Sequence, residues 1–180
     1  MKKDLKQEIE IPAGIEAEIE SGVIKIKKGK NEVARKFNGI SARKEGNNII
    51  ISAESATKKE KKLINTISAH VRNMINGLEK NYIYKLQICS VHFPMNVSVD
   101  KAKNELIIKN YLGEKHPRKA KILDNVSAKV DKDIIILESF DKEAAGQTAG
   151  NIERATHLNM RDRRRFQDGI WITEKAEVMM

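Results

Sequence analysis

IIISAESATKKE, residues 49–60, joins a short apolar segment to the start of a helix, and IIILESFDKEAA, residues 134–145, repeats that join in the second half of the chain. A run of three or four aliphatic residues is typical of a buried strand, and a helical period follows in both places. Two such joins at one long interval predict a duplicated domain rather than a solenoid, which needs several shorter repeats.

The repeat extends outward from these joins. Similar residues occupy corresponding places in the two halves. The corresponding pairs are Pro12 and Pro94, Ile24/Ile26 and Leu106/Ile108, Ile40 to Ala42 and Val126 to Ala128, and Lys59-Glu60 and Lys142-Glu143. Alternating segments such as 15–19 and 82–88 read as strands, so several strands precede one helix in each half. We therefore predict an α+β fold of two tandem duplicated domains, residues 1–81 and 82–180, each a mostly antiparallel sheet packed against one helix.

Both helices have recognisable boundaries. Thr57 and Glu60 have the spacing of a capping box, and Gly77 lies near the expected end of the first helix. The apolar face of that helix is formed by Leu63, Ile64, Ile67, Val71, Met74, Ile75 and Leu78. The second helix is expected to start at Asp141 and to run toward Leu158, with small residues that permit close packing on its inner face.

Composition indicates a folded, basic protein. The net charge is +9 and 40% of the residues are hydrophobic, while acidic and basic residues are interleaved along the chain. The hydrophobic fraction is enough for a packed core, and the positive excess favours nucleic acid or an anionic surface as a partner.

The arginines are concentrated in one place. Five of the nine lie between Arg154 and Arg165, and RDRRRFQDG at residues 161–169 leads into a turn and a short strand. A guanidinium offers a rigid fork of donors that clamps phosphate or stacks on a base, so this segment predicts RNA contact. The alternative is a solvated turn with spare charge.

A second basic segment, GEKHPRKAK at residues 113–121, lies between two predicted strands. Pro117 cannot donate to a strand ladder and favours a true loop here. RNA contact and a solvated hairpin tip both remain open for it. Because aromatic residues make up only 4% of the chain, binding to backbone and groove shape is favoured over stacking of splayed bases as the main mode.

Signs of catalysis, metal binding or membrane insertion are weak. The four histidines lie in four different segments, the single cysteine excludes an intramolecular disulfide, and no phosphate-binding glycine loop follows a strand. Cys89 and His92 are expected on opposite faces of one strand, and Asp168 reads as a turn residue without an evident partner base. No apolar run could cross a bilayer. We expect a cytoplasmic protein that is not an enzyme, with no metal, cofactor, membrane or small-molecule partner.

Several motifs resemble one known family. They are HFPMNVSVD from His92, NYLGEKHPR from Asn110, GQTAGNIE from Gly146, RDRRRFQDGIWI from Arg161 and SAHVRNMINGL from Ser68. In this order they resemble the archaeal and eukaryotic branch of the universal large-subunit ribosomal protein six family. The resemblance covers roughly residues 9–175, with Trp171 where the family usually has tyrosine and Arg154 where glutamine is common.

The resemblance implies a structural constituent of the large ribosomal subunit whose second domain is the main rRNA-binding domain. The implied location is beside the sarcin-ricin loop and the base of the factor-binding stalk, next to the ribosomal proteins of the stalk base. The implied RNA-binding residues are Lys115, Arg118, Lys119, Lys121, Gln147, Asn151, Arg161, Arg163, Arg164, Arg165, Gln167 and Lys175. The alternative is a protein-interaction module on the same duplicated scaffold, with binding that is insensitive to salt. An enzyme would require a pocket of convergent polar groups.

Overall fold

A computed structural model of the chain describes residues 3–158, 161–162 and 164–178. The chain divides into two compact units, Met1–Glu79 and Lys80–Met180. Within the described ranges every pair of neighbouring strands is antiparallel. One α-helix is described in each unit, so the class predicted from the sequence, α+β with antiparallel strands, is confirmed.

The first unit builds two small sheets and a long helix. Its elements are β1 (Lys3–Glu10), β2 (Glu16–Glu20), β3 (Val23–Lys28), β4 (Asn31–Lys36), β5 (Ser41–Glu45), β6 (Asn48–Ala56) and α1 (Lys58–Glu79). One sheet has the order β1-β6-β5 and the other the order β2-β3-β4.

The second unit repeats this plan and adds a strand. Its elements are β7 (Tyr82–Cys89), β8 (Asn96–Asp100), β9 (Glu105–Lys109), a short 3₁₀ turn (Tyr111–Gly113), β10 (Arg118–Lys121), β11 (Ser127–Asp131), β12 (Ile134–Ser139), α2 (Lys142–Ala155) and β13 (Gly169–Val178). The sheets have the orders β10-β9-β8 and β11-β12-β7-β13.

The duplication is visible in the strand order. Strands β5-β6-β1 correspond to β11-β12-β7, and β2-β3-β4 correspond to β8-β9-β10. The corresponding pairs Ile24/Ile26 and Leu106/Ile108 lie on the central strands β3 and β9 and are all fully buried. The strands of each unit are shared between two small sheets, whereas the sequence indicated one sheet per domain.

Helix α1 begins with the predicted capping box. The Thr57 N–H donates to Glu60 Oε2 at 2.8 Å, the Lys59 N–H donates to Thr57 Oγ1 at 3.2 Å, and the two side chains also bond to each other. These contacts satisfy donors that a helix start leaves without intrahelical partners. The helix ends at Glu79, two residues beyond Gly77, and Leu63 is 39% exposed rather than part of the buried face.

Helix α2 starts as predicted but ends early. The Asp141 side chain caps it by accepting the Glu143 N–H at 2.9 Å, and the helix ends at Ala155 instead of continuing toward Leu158. Thr156 stops it, because its hydroxyl donates to the Glu153 carbonyl at 3.1 Å and accepts the Ile170 N–H at 2.9 Å. The end of the helix is thus fixed by a bond to β13.

The core of the second unit lies between α2 and strands of both sheets. Helix α2 contacts β7, β12 and β13 of the four-stranded sheet and also β10. The fully buried apolar residues are Leu86, Leu106, Ile108, Ile135, Leu137, Ala145, Ala149, Ile152 and Ile170. The small side chains Ala145 and Ala149 let the helix approach closely, and each buried aliphatic contributes about 1.5–3 kcal/mol to folding. The exposed cations of the second unit lie on elements that pack against this core.

Candidate nucleic-acid interface

The arginine loop (residues 161–168), of which residues 161–162 and 164–168 are described, is held in a tight turn by Asp162. The Asp162 carbonyl accepts the N–H groups of Arg165 and Phe166 at 3.1 and 3.0 Å, and its Oδ1 accepts the Arg164 N–H at 2.9 Å. The Arg164 guanidinium also donates to both carboxylate oxygens at 3.0–3.2 Å. This side-chain bond lowers the pKa of Asp162. Arg164 stays 90% exposed, so its remaining donors face solvent.

A stack of rings joins this loop to the end of β7. The Arg161 guanidinium carbon lies 4.9 Å from the centroid of the Phe166 ring. The Phe166 ring stacks on the His92 ring, with centroids 5.0 Å apart and an interplanar angle of 27°. His92 Nδ1 lies 2.5 Å from Asp168 Oδ2. The stack restricts Arg161 to one region of the surface, because a cation over an aromatic face is attracted by the ring.

Asp168 anchors the stack from inside the protein. It is only 1% exposed, and its Oδ1 accepts the N–H groups of Val91 and His92 at 2.8 and 2.9 Å. Burial raises the pKa of Asp168, but the bonds from His92 and Val91 outweigh it and hold the pKa below its ordinary value.

Two expectations about these residues were wrong. Asp168 has a partner, His92, which the sequence did not reveal because it lies 76 residues away. His92 is not on a strand face opposite Cys89, since β7 ends at Cys89 and His92 lies in the turn that follows.

Arg118 is engaged inside the second unit. Its guanidinium forms two bonds with the Glu114 carboxylate, at 2.8 and 2.6 Å, and donates to the carbonyls of Ala155 and His157 at 2.9 and 3.3 Å. It also lies 4.2 Å from the centroid of the buried Tyr111 ring. The bond to Arg118 lowers the pKa of Glu114, and the same bond raises that of Arg118. Arg118 therefore fastens α2 to the turn before β10.

The predicted basic loop at residues 113–121 is half strand, which corrects the sequence interpretation. Residues 118–121 form β10 and pair with residues 105–108 of β9. Because side chains alternate along a strand, Ala120 points into the core while Lys119 and Lys121 point to solvent. The strand pairing starts at Arg118, directly after Pro117. Pro117 has no backbone N–H, and at this position it does not have to donate a hydrogen bond to β9. Lys119 also forms an ion pair with Glu105 at 3.2 Å, and Lys115 remains in the exposed turn.

Helix α2 brings the predicted amides to the edge of β10. Gln147 Nε2 donates to Asn151 Oδ1 at 2.9 Å, and Asn151 Nδ2 donates to the Lys121 carbonyl at 3.2 Å. Gln147, Asn151 and Lys121 thus form one cluster. Gln167 is exposed at the end of the arginine loop, and Lys175 is exposed farther along β13. Arg163, also in the predicted set, lies outside the described residues.

A groove of about 370 Å³ opens between the last turns of α2 and β13, and sequence reasoning missed it. Its lining residues are Gly150, Glu153, Arg154, His157 and Trp171, and we call it the helix groove. Gly150, Glu153 and Arg154 lie three and four residues apart on one face of α2, and His157 follows just after the helix ends at Ala155. That spacing was readable in the sequence, but the approach of Trp171 from β13 was not.

In the described part of the chain, a metal ion would need a group of histidine, cysteine or acidic side chains to hold it. There, no three histidine, cysteine or acidic side chains are grouped as metal ligands would be. Neither of the two described α-helices is long and apolar enough to span a membrane. The candidate interface therefore consists of cationic and amide side chains on elements that pack against the core of the second unit.

Fold and surface together define a class: a small basic α+β protein built by duplication, with arginines and lysines displayed on its second unit. Comparison with known proteins identifies the family. The model of the family "Ribosomal protein L6" matches residues 93–169. Three archaeal relatives carry the name "Large ribosomal subunit protein uL6".

The relative from Desulfurococcus amylolyticus is 43% identical over 176 residues, which cover 96% of each chain. Those from Nanoarchaeum equitans and Methanococcus vannielii are 41% and 39% identical, each over 96% of this chain and 94% of the relative. The chain belongs to the ribosomal protein L6 family. Proteins of this family are structural constituents of the large ribosomal subunit in the cytoplasm and are not enzymes.

Proposed function

We propose that this chain occupies its place in the large ribosomal subunit by binding rRNA through its second unit, beside the sarcin-ricin loop and the base of the factor-binding stalk. The family resemblance suggests the location. The observation that carries the binding surface is the connection from Asp168 through His92 and Phe166 to Arg161. This connection holds the arginine loop in a fixed position against the core. A surface that binds folded RNA by its shape needs a loop fixed in this way.

The proposed mechanism is phosphate neutralisation by cations fixed before binding. Guanidinium groups match phosphate geometry with two parallel bonds, and cations that bind phosphates release condensed counterions. A loop ordered in advance loses less conformational entropy on association. Bound in this way, the protein braces the factor-binding region without performing chemistry.

The predicted residues divide by role. Arg161, Arg164 and Arg165 contact phosphates, with Arg163 assigned to the same group from its sequence position. Lys115, Lys119 and Lys121 extend the cationic surface along β10, and Gln167 and Lys175 extend it toward β13. Gln147 and Asn151 donate to the RNA backbone, and Arg118 acts mainly as a positioning residue. Ribosomal proteins of the stalk base are the proposed neighbours.

The test is binding to a transcript that contains the sarcin-ricin and stalk-base segments of large-subunit rRNA. The variant R161A/R164A/R165A is compared with K101A/K103A/K129A, which removes three exposed charges elsewhere on the second unit. Each lost phosphate contact flattens the slope of log affinity against log salt by about 0.7–0.9, so the arginine variant flattens it by about 2–3. The control keeps the slope of the unmodified protein.

Two outcomes would contradict the proposal. An unchanged slope in the arginine variant removes this loop from the contact surface. Binding that does not depend on salt favours the protein-interaction module. Chemical footprinting of the same transcript decides the location, since protection must include the sarcin-ricin segment.

A further inference from the structure

We propose that the helix groove is a pocket for one unpaired nucleobase, and that guanine fits it best. The proposal rests on the proposed rRNA binding and adds to it a single site that reads a base. Stacking at one position is compatible with the low aromatic content, because the rest of the interface still binds the backbone.

Gly150 provides the first argument. A Cβ atom at Gly150 would meet none of the described atoms within 4 Å, so the described part of the fold gives no packing reason for glycine there. At Gly146, one turn earlier, a Cβ would lie 3.1 Å from the Tyr84 hydroxyl, which gives that glycine a packing reason. Glycine weakens a helix, so its use at an open position indicates that something outside the fold needs the space. A ligand that approaches the helix backbone closely supplies that reason.

Trp171 provides the flat surface on which a base would stack. Its Nε1 donates to the Gln167 carbonyl at 3.2 Å, and its ring lies against Gly169, where a Cβ would be 3.2 Å from ring carbons. The indole is therefore held in one orientation while it lines the groove. Splayed bases in RNA stack on aromatic side chains and are then read along their hydrogen-bonding edges.

Glu153 and Arg154, which are among the described lining residues, favour a base over a phosphate. Glu153 would repel a phosphate, but its carboxylate accepts N–H donors, and Oε1 already lies 3.5 Å from the Ile172 nitrogen. Guanine presents two adjacent N–H groups on its pairing edge, which match the two oxygens of a carboxylate. The exposed Arg154, one residue further along α2, is placed to neutralise the phosphate of the same nucleotide.

Trp171 is the only tryptophan in the chain, so its fluorescence reports on this groove alone. The probes are two RNA hairpins with the same stem and an end label, one with a bulged guanine and one fully paired. We expect both to bind at low salt by anisotropy. Only the bulged hairpin should quench Trp171, and it should bind roughly tenfold more tightly, as one base–aromatic stack allows.

Three variants test the parts of the pocket. Gly150→Leu fills the groove and should abolish both the quenching and the tenfold preference, and Gly150→Ala, which adds one methyl group on the same surface, should reduce both. Glu153→Gln should reduce the preference for a bulged guanine over a bulged adenine. Paired-hairpin binding should be unchanged in all three.

The outcomes separate the two proposals. If both hairpins bind with the expected salt dependence but the guanine neither quenches Trp171 nor gains affinity, the nucleobase pocket is wrong and the rRNA-binding proposal stands. The pocket is equally contradicted if Gly150→Leu retains the preference. If neither hairpin binds at low salt, the rRNA-binding proposal itself fails.

Discussion

His92 and Asp168 are 76 residues apart in the sequence, yet His92 Nδ1 and Asp168 Oδ2 lie 2.5 Å apart. The same carboxylate accepts the backbone N–H groups of Val91 and His92. Through these three bonds one buried side chain fastens the turn after β7 to the end of the arginine loop. The pair is structural, and it determines where the loop stands.

Asp168→Ala should lower the free energy of unfolding by about 1–3 kcal/mol, because it removes a buried carboxylate that accepts two backbone N–H groups and contacts the His92 ring. Urea denaturation measures the effect. The control is Asp124→Ala, an exposed residue whose change should stay within about 0.5 kcal/mol. Equal midpoints for the two variants would show that the anchor contributes nothing.

The same carboxylate predicts how stability depends on acid. Its folded pKa lies below its ordinary value, so the unfolded chain binds the proton more readily. The stabilisation is present in full above the ordinary aspartate pKa of about 3.9 and is lost as the pH falls through the lower folded pKa. The difference in unfolding free energy between the unmodified protein and Asp168→Asn should therefore shrink as the pH falls from 5 to 2. If this difference in unfolding free energy instead grew as the pH fell, the folded pKa of Asp168 would have to lie above its ordinary value.

Arg118→Ala should act on stability more than on salt dependence. It removes two bonds to Glu114, two carbonyl contacts and the contact with the Tyr111 ring. We expect a loss of about 1–3 kcal/mol, measured by thermal unfolding. The control Lys119→Ala removes only an exposed ion pair and should cost about 1 kcal/mol or less. A flattened salt slope with unchanged stability would instead make Arg118 a direct RNA contact.

These contacts show which parts of the structure a single sequence can predict. The capping box of α1 and the correspondence between Ile24 and Leu106 were predictable because both follow from local spacing or from repetition. His92–Asp168 and Arg118–Ala155 were not, because each joins segments that only the folded chain brings together. The end of α2 was placed too late for the same reason, since a bond from β13 to Thr156 fixes it.

Two glycines on α2 should respond in opposite directions to alanine. Gly150→Ala adds a methyl group in open space and should raise the unfolding free energy by about 0.5–1 kcal/mol. Gly146→Ala forces a Cβ to 3.1 Å from the Tyr84 hydroxyl and should lose that gain or destabilise. Chemical denaturation of the two single variants makes the comparison. Stabilisation by both would mean that Tyr84 gives way easily.

The cap of α1 makes a separate prediction for the first unit. Thr57→Ala removes the acceptor of the Lys59 N–H and the partner of the Glu60 side chain, so it should cost about 1 kcal/mol. Thr57→Ser should keep most of the stability, because its hydroxyl can make the same bonds. Hydrogen exchange of the first turn of α1 measures the effect at the site. Protection that survives in Thr57→Ala would show that tertiary packing alone holds the helix start.

Strand β13 pairs Gly169 with Cys89 at the end of β7, so the sheet order β11-β12-β7-β13 closes over a very long stretch of chain. Closing such a stretch is slow beside the formation of the hairpins on either side. The arginine loop enters β13 directly, and its anchor Asp168 immediately precedes that closing pair. We therefore expect the arginine loop to reach its final position late in folding. We expect a chain in which β13 has not yet paired with β7 to carry the same charge but to lack the fixed arrangement of its arginines.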